Sequence, residues 1–220
     1  MARHPLPAAT ALIASAALLL SACGGSDEKP NDDEKIVGAE HGDKRSASPA
    51  DPSSAGEDPN ASKRPELKTD KDFKTVFEGW TSKDPKKKAV LLDAKYQVLS
   101  VDSAIFKQDP QAPEVAFYNS GPALASAKDW VSGFKKNHHS STGTARYYEP
   151  RIKFLAKDYA TLAYCSDESR SFSKNLDTGK KYVTTPSAGD YTLYSTGVQR
   201  NSDGIWKTTS LSPQEGKCQP

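Results

Sequence analysis

The chain has 220 residues, with 30 Lys and Arg against 28 Asp and Glu, a formal net charge of +2 and 35% hydrophobic residues. So balanced a charge excludes the broad basic field of a non-specific nucleic-acid binder and gives no electrostatic reason for the chain to seek an anionic bilayer. The part from about Pro65 to Pro220 is long enough for one domain with a real core and short for two.

At the N-terminus, Arg3 and His4 precede an uncharged stretch, residues 5–22, whose most apolar part is Leu12, Ile13 and Leu18 to Leu20. A cationic start, an apolar middle and small residues at the end are the layout of a secretory signal peptide. Pro5, Pro7, Thr10, Ser15 and Ser21 dilute the stretch, which makes it a poor spanning helix, since spanning needs roughly 20 predominantly apolar residues. Leu20, Ser21, Ala22 and Cys23 resemble the bacterial lipobox. The resemblance implies that residues 1–22 are removed and that Cys23 becomes the mature N-terminus, carrying a thioether-linked diacylglyceryl group. Two acyl chains hold a protein stably on a bilayer where one does so only marginally. The expected location is therefore extracytoplasmic, on the outer face of the plasma membrane, with plain secretion as the alternative.

Residues 23–68 are dominated by Gly, Ser, Ala, Pro, Asp, Glu and Lys, and their only sizeable apolar side chains are Ile36, Val37 and Leu67. Such a segment buries too little apolar surface to offset its ordering entropy and reads as a disordered linker. About 45 such residues reach roughly 40 Å in root-mean-square terms. The basic run at Lys83, Lys86, Lys87 and Lys88 reads as a solvated helix start rather than a lipid contact.

Residues 69–220 read as a single domain. Residues 73–80 form a short strand. Asp84-Pro85 is an N-cap followed by proline at the first helical position. Behind it Leu91, Ala94, Val98, Val101 and Ile105 recur at three- and four-residue steps, predicting an amphipathic helix to about Lys107. The breakers Asp109, Pro110 and Pro113 end it, residues 114–118 are a short helical or irregular piece, and Ala123, Ala127, Trp130, Val131 and Phe134 mark another helix. His138-His139 falls in a polar segment read as a surface loop.

The period then changes. Tyr148, Ile152 and Phe154 alternate with Tyr147, Glu149, Arg151 and Lys153, and residues 159–165 make a further strand. Residues 190–200 and 205–211 flank Asn201-Ser202-Asp203-Gly204, a hairpin signal. Helices first and strands afterwards predict an α+β fold, with the helices on one face of a curved antiparallel sheet.

Of the three cysteines, the lipobox takes Cys23. Cys165 and Cys218, 53 positions apart, remain in an exported chain, where disulfides persist. A bond between them would contribute about 4 kcal/mol on the chain-entropy picture. Two free thiols, or a metal site with His138 and His139, are the alternatives, although no short metal-ligand spacing is present.

The helix bearing Tyr96, the helix bearing Trp130, the ATLAYCSDES and DGIWKTTSL strands and the terminal cysteine resemble a group of actinobacterial-type lipoproteins. That group's layout is similar to the cone-shaped nuclear-transport-factor-2-like fold, shared with ketosteroid isomerases and polyketide cyclases. The resemblance implies a concave sheet closed by helices around a pocket, with Cys165 and Cys218 tying one strand to the tail. Enzymes of this kind set a carboxylate base opposite a tyrosine or acid that stabilises an enolate. The family's own acid and base have no assignable positions here, so the catalytic candidates are Asp102 with Tyr96, Tyr148 or Tyr164. Each also suits a plain structural place. Tyr96, Trp130, Tyr148, Tyr164, Tyr194 and Trp206 are the candidates for pocket walls.

No G-x-S-x-G elbow, phosphate-cradling glycine loop or H-E-x-x-H run occurs, and nothing calls for a metal or other cofactor. The expected function is a lipid-anchored, non-catalytic domain that binds a small apolar ligand or another envelope protein. An isomerase- or cyclase-like enzyme and a structural assembly module are the alternatives. The membrane, through the lipid on Cys23, is the one expected partner with a stated chemistry, and nucleic acid is not expected.

Overall fold

The computed structural model describes residues 58–219. The expected signal peptide, Cys23 and most of the linker lie outside the described residues.

Helix α1, Pro85–Lys107, starts and stops by local chemistry. The Asp84 carboxylate accepts from the backbone N–H groups of Lys86 and Lys87 at 2.8 and 3.1 Å, and Pro85 occupies the first turn, where a missing N–H costs nothing. At the far end Gln108 turns left-handed, φ 55°, and its N–H returns to the carbonyls of Ala104 and Ile105. Helices α2, Pro113–Tyr118, and α3, Gly121–Lys136, follow, each with a proline in its first turn.

The strands are β1, Phe73–Phe77; β2, His139–Ala156; β3, Tyr159–Asn175; β4, Lys181–Tyr182; β5, Tyr191–Arg200; and β6, Trp206–Gln214. They form one sheet in the order β1-β2-β3-β5-β6, with β4 on the far part of β3. The α+β class stands, but the sheet is mixed rather than purely antiparallel, because β1 lies parallel to β2. A strand that precedes the helices and pairs with one that follows them is a crossover, and its direction cannot be read from alternation alone.

His139 does not sit in the expected loop. It opens β2 and pairs with Asn175, and Ser140, Ser141 and Thr142 continue the ladder against Lys174, Ser173 and Phe172. Composition reads that run as loop, but β3 pairs with its backbone, Gln108 Nε2 donates to the His139 carbonyl at 2.8 Å, and Ser140 and Thr142 are buried. His138 alone makes the turn, at φ 53°.

The last part of the expected linker, residues 58–68, is also packed. Arg64 reaches Asp58 Oδ2 and Asp93 Oδ1, 2.5 and 2.6 Å away, with its side chain 6% exposed. Its guanidinium covers the Tyr96 ring at 4.5 Å, and Tyr96 stacks on Tyr118. Low apolar content hid this segment, which is held by polar contacts: besides Arg64, the Lys68 N–H donates to Ser103 Oγ at 3.0 Å and Lys63 lies 3.8 Å from Asp203.

The helices lie on one face of the sheet as a wedge. The first half of α1 touches it directly: Val90 packs with Ala160, Val198 and Trp206, and Leu91 and Ala94 pack with Leu162 and Tyr164. Further along, Ala104 and Ile105 pack instead with Val115, Ala127 and Val131 of the other helices. The two layers therefore diverge along α1, and a cavity fills the gap.

Candidate functional site

The cavity has a volume of about 760 Å³ and is bounded by α1, α3, β1, β2, β3, β5, β6 and the Ala188–Asp190 turn. Val98, Val101 and Ile105 of α1 line it at helical spacing, and Asp102 lies among them. Opposite stand Tyr147 of β2, Tyr164 and Glu168 of β3, and Tyr194 of β5. Trp130 and Phe134 of α3 stand edge to face, 5.4 Å between centroids, and Trp130 is 60% exposed, which marks the mouth.

Two irregularities in the sheet aim this wall. Between Tyr148 and Arg151 strand β2 spends one residue more than β3, which pairs there from Cys165 to Ala163. This bulge holds Glu149 at φ 51° and reverses the alternation. Ile152 and Phe154 face the helices, as does Tyr147, whereas Tyr148 turns away and packs with Cys165 and Cys218. Between Thr144 and Arg146 the extra residue is on β3, which bends the ladder beside Glu168 as that side chain enters the cavity.

The expected pocket walls therefore divide. Trp130, Tyr164 and Tyr194 line the cavity. Tyr96 lies under Arg64, and Tyr148 belongs to the disulfide cluster. Trp206 sits beside Lys86 at a separate surface cleft of about 360 Å³. Among the catalytic candidates, Asp102 and Tyr164 share the cavity, and Tyr96 and Tyr148 do not. Tyr147 and Glu168 also line the cavity, beyond the residues expected from the sequence. Strict alternation from Tyr164 through Ser166 reaches Glu168, but only the bulge explains Tyr147.

Asp102 accepts a hydrogen bond at 2.8 Å from Thr75 Oγ1 of β1 through Oδ2; among the described residues no other donor reaches its carboxylate. The residue is half-buried and lines the cavity. Burial pushes its pKa up to about 7, the negative field of Glu168 adds to that, and the Thr75 bond opposes it. Glu168 accepts from Ser166 Oγ at 3.0 Å and from Tyr194 Oη at 3.3 Å. Burial raises its pKa too, and these two bonds resist the rise. Tyr164 and Tyr194 stack at 5.2 Å, and Tyr147 meets Tyr164 edge to face at 6.0 Å. All three phenols are pushed up by burial and then by the carboxylates, so they stay protonated donors at neutral pH.

On the outer face Cys165 and Cys218 form the disulfide, with Cα atoms 5.9 Å apart. It ties β3 to the tail, where the Cys218 N–H bonds to the Tyr191 carbonyl at 3.2 Å and Tyr148 Oη donates to the Gln219 carbonyl.

No family model matches the chain, and no curated protein matches it in sequence. Solved structures resemble it at low identity. A ketosteroid isomerase-like protein from Erwinia carotovora atroseptica SCRI1043 is 11% identical with a TM-score of 0.40, covering 60% of this chain and 97% of its own. The intermembrane space region of the chloroplast protein ARC6 is 11% identical with a TM-score of 0.38, covering 61% and 99%. A protein from Catenulispora acidiphila is 11% identical with a TM-score of 0.37, covering 58% and 89%.

Proposed function

We propose that this domain is the ligand-binding part of a lipid-anchored extracytoplasmic protein, and that it takes a small, largely apolar molecule into the cavity between α1, α3 and the sheet. One observation carries the reading: a space of about 760 Å³ whose aliphatic and aromatic side chains from α1, α3 and the sheet are interleaved with serines and acids, within the range of ligand sites, which runs from roughly 300 to 1,000 Å³. A domain serving only as a spacer would gain from filling such a space with its own side chains. Native mass spectrometry of the full-length protein purified from its own envelope tests it. A discrete extra mass, lost on denaturation and absent from Val101→Trp, is the expected result. A bare protein that also fails to take up the neutral dye Nile red overturns it. Anchoring through Cys23 is tested separately: Cys23→Ala shifts the protein from the membrane to the soluble fraction, and unchanged partitioning removes the anchor.

Acid–base chemistry is a second reading, favoured by the Asp102 carboxyl with its pKa of about 7 beside phenols that remain donors. A base poised near neutral pH opposite hydrogen-bond donors is the pairing that proton abstraction next to a carbonyl requires. In that reading Asp102 takes the proton, and Tyr147 or Tyr164 donates to the oxygen that gains charge.

A further inference from the structure

We infer that the ligand of this cavity is an apolar cation, an amine or quaternary ammonium group carried on a hydrocarbon body. The inference rests on the ligand-binding reading above and names the charge of what is bound. Among the described residues four acids line the cavity, the half-buried Asp102, Glu168 and Asp190 and the exposed Glu215, and no Lys, Arg or His lines it. The whole chain has slightly more basic than acidic residues, so this one-sided lining is a property of the site and not of the composition.

Asp102 and Glu168 make the point physically. Charges removed from water are normally matched by a partner charge, because desolvation costs more than neutral hydrogen bonds return. Elsewhere in this domain that rule is kept: Asp93 meets Arg64 at 2.6 Å, Glu114 meets Lys107, and Asp167 meets Arg146 at 3.2 Å. Among the described residues, Asp102 and Glu168 receive only hydroxyl donors, from Thr75, Ser166 and Tyr194. A cation in the cavity supplies the missing charge. Trp130, 60% exposed beside the cavity, offers a π-face suited to an ammonium group, while Val98, Val101 and Ile105 offer a surface for its hydrocarbon part.

Protonation gives a second signature. The titratable groups around Asp102 are Tyr147 from β2, Tyr164 and Glu168 from β3, Tyr194 from β5, Asp190 from the turn before it, and Glu215 after β6; β1 and α3 contribute Thr75 and Trp130, which do not titrate. With Asp102 near 7 in the empty cavity, a bound cation lowers its pKa and releases a proton. Affinity for a permanent cation then rises with pH, by about tenfold between pH 5.5 and 8 for a downward shift of one to two units.

The test compares benzyltrimethylammonium with its uncharged carbon isostere, neopentylbenzene, on the full-length protein, by ligand-observed NMR and calorimetry at pH 5.5, 7 and 8. The expected result is tenfold or tighter binding of the cation at pH 8, a pH dependence in that direction, and loss of the preference in Asp102→Asn and in Glu168→Gln. Retained binding of neopentylbenzene shows that these variants are folded. Equal binding of the two probes, or cation affinity that does not change with pH, overturns the cationic inference and leaves the ligand-binding reading standing. Binding of neither probe at any pH, by a folded protein, overturns both. If either variant fails to fold, the comparison of probes on the unaltered protein still decides.

Discussion

Two charged residues show how differently a buried ion can be held. Arg64 is an ion with partners: its side chain is 6% exposed, it lies between Asp58 and Asp93, and burial, which alone would lower its pKa, is outweighed by those two acids and Tyr118. Asp93 also accepts the Trp206 N–H at 2.8 Å, so the same group joins residues 58–68, α1 and β6. Arg64→Ala leaves Asp93 buried without its counter-charge, and a loss of about 3 kcal/mol is expected in urea unfolding; a change under 1 kcal/mol would mean that the pair adds nothing. Asp102 is the opposite case. Its folded pKa, about 7, lies above the ordinary 3.8, so the folded state holds the proton more tightly than the unfolded state does. Stability from this group is fully present below pH 4 and is lost as pH rises from about 4 to 7, by at most about 1.4 kcal/mol per unit. Asp102→Asn is therefore expected to gain stability over the parent protein as pH rises through that window and to change little further above it. Parallel stability curves for the two proteins from pH 4 to 8 would contradict the raised pKa.

At the scale of elements, the helices were legible and the sheet was only partly so. Asp84, Pro85 and the breakers after Lys107 define α1 in the sequence because capping and proline geometry are local. Strand faces depend on register, which one extra residue reverses. Alternation placed Tyr148 on the face of Ile152 and Phe154; the bulge at Glu149 moved Tyr147 there instead, and no nearby glycine marked it. Asp102 is legible as a cavity residue because it lies beside the apolar stripe of α1, whereas Glu168, although two-residue alternation from Tyr164 reaches it, follows two polar residues that give no sign of burial. The parallel pairing of β1 and the strand at His139 depend on partners far along the chain. The bulge makes its own prediction. Glu149 occupies the left-handed region, which β-branched side chains resist, so Glu149→Val is expected to cost about 1 to 2 kcal/mol although the side chain is exposed. Glu149→Gly should cost almost nothing. Equal effects of the two substitutions in urea unfolding would show that the bulge conformation is not what the site requires.

At the scale of the molecule, the wedge separates two jobs that a filled core would merge. The narrow end, where Val90, Leu91 and Ala94 meet Ala160, Leu162 and Trp206, holds the layers together, and the wide end is left open for the cavity. An open end loses the contacts a packed interior would supply, so stability has to come from elsewhere. The disulfide between Cys165 and Cys218 lies on the sheet face turned away from the cavity, where it anchors the tail beneath Tyr148 and Tyr191 without occupying ligand space. Its closed loop spans 53 positions and contains β4, β5 and β6, and β5 supplies Tyr194 to the cavity wall. Reduction is expected to lower stability by about 4 kcal/mol on the chain-entropy picture, visible as a large drop in melting temperature with dithiothreitol. Cys165→Ala/Cys218→Ala should reproduce that drop without reductant and become insensitive to it. Because Cys165 packs with Tyr148 and Cys218 on the face of β3 opposite Tyr164, ligand affinity of the folded double variant at low temperature should stay within about threefold of the parent, a difference under 1 kcal/mol. A much larger loss of affinity with little loss of stability would assign the disulfide to shaping the cavity wall instead of securing the tail.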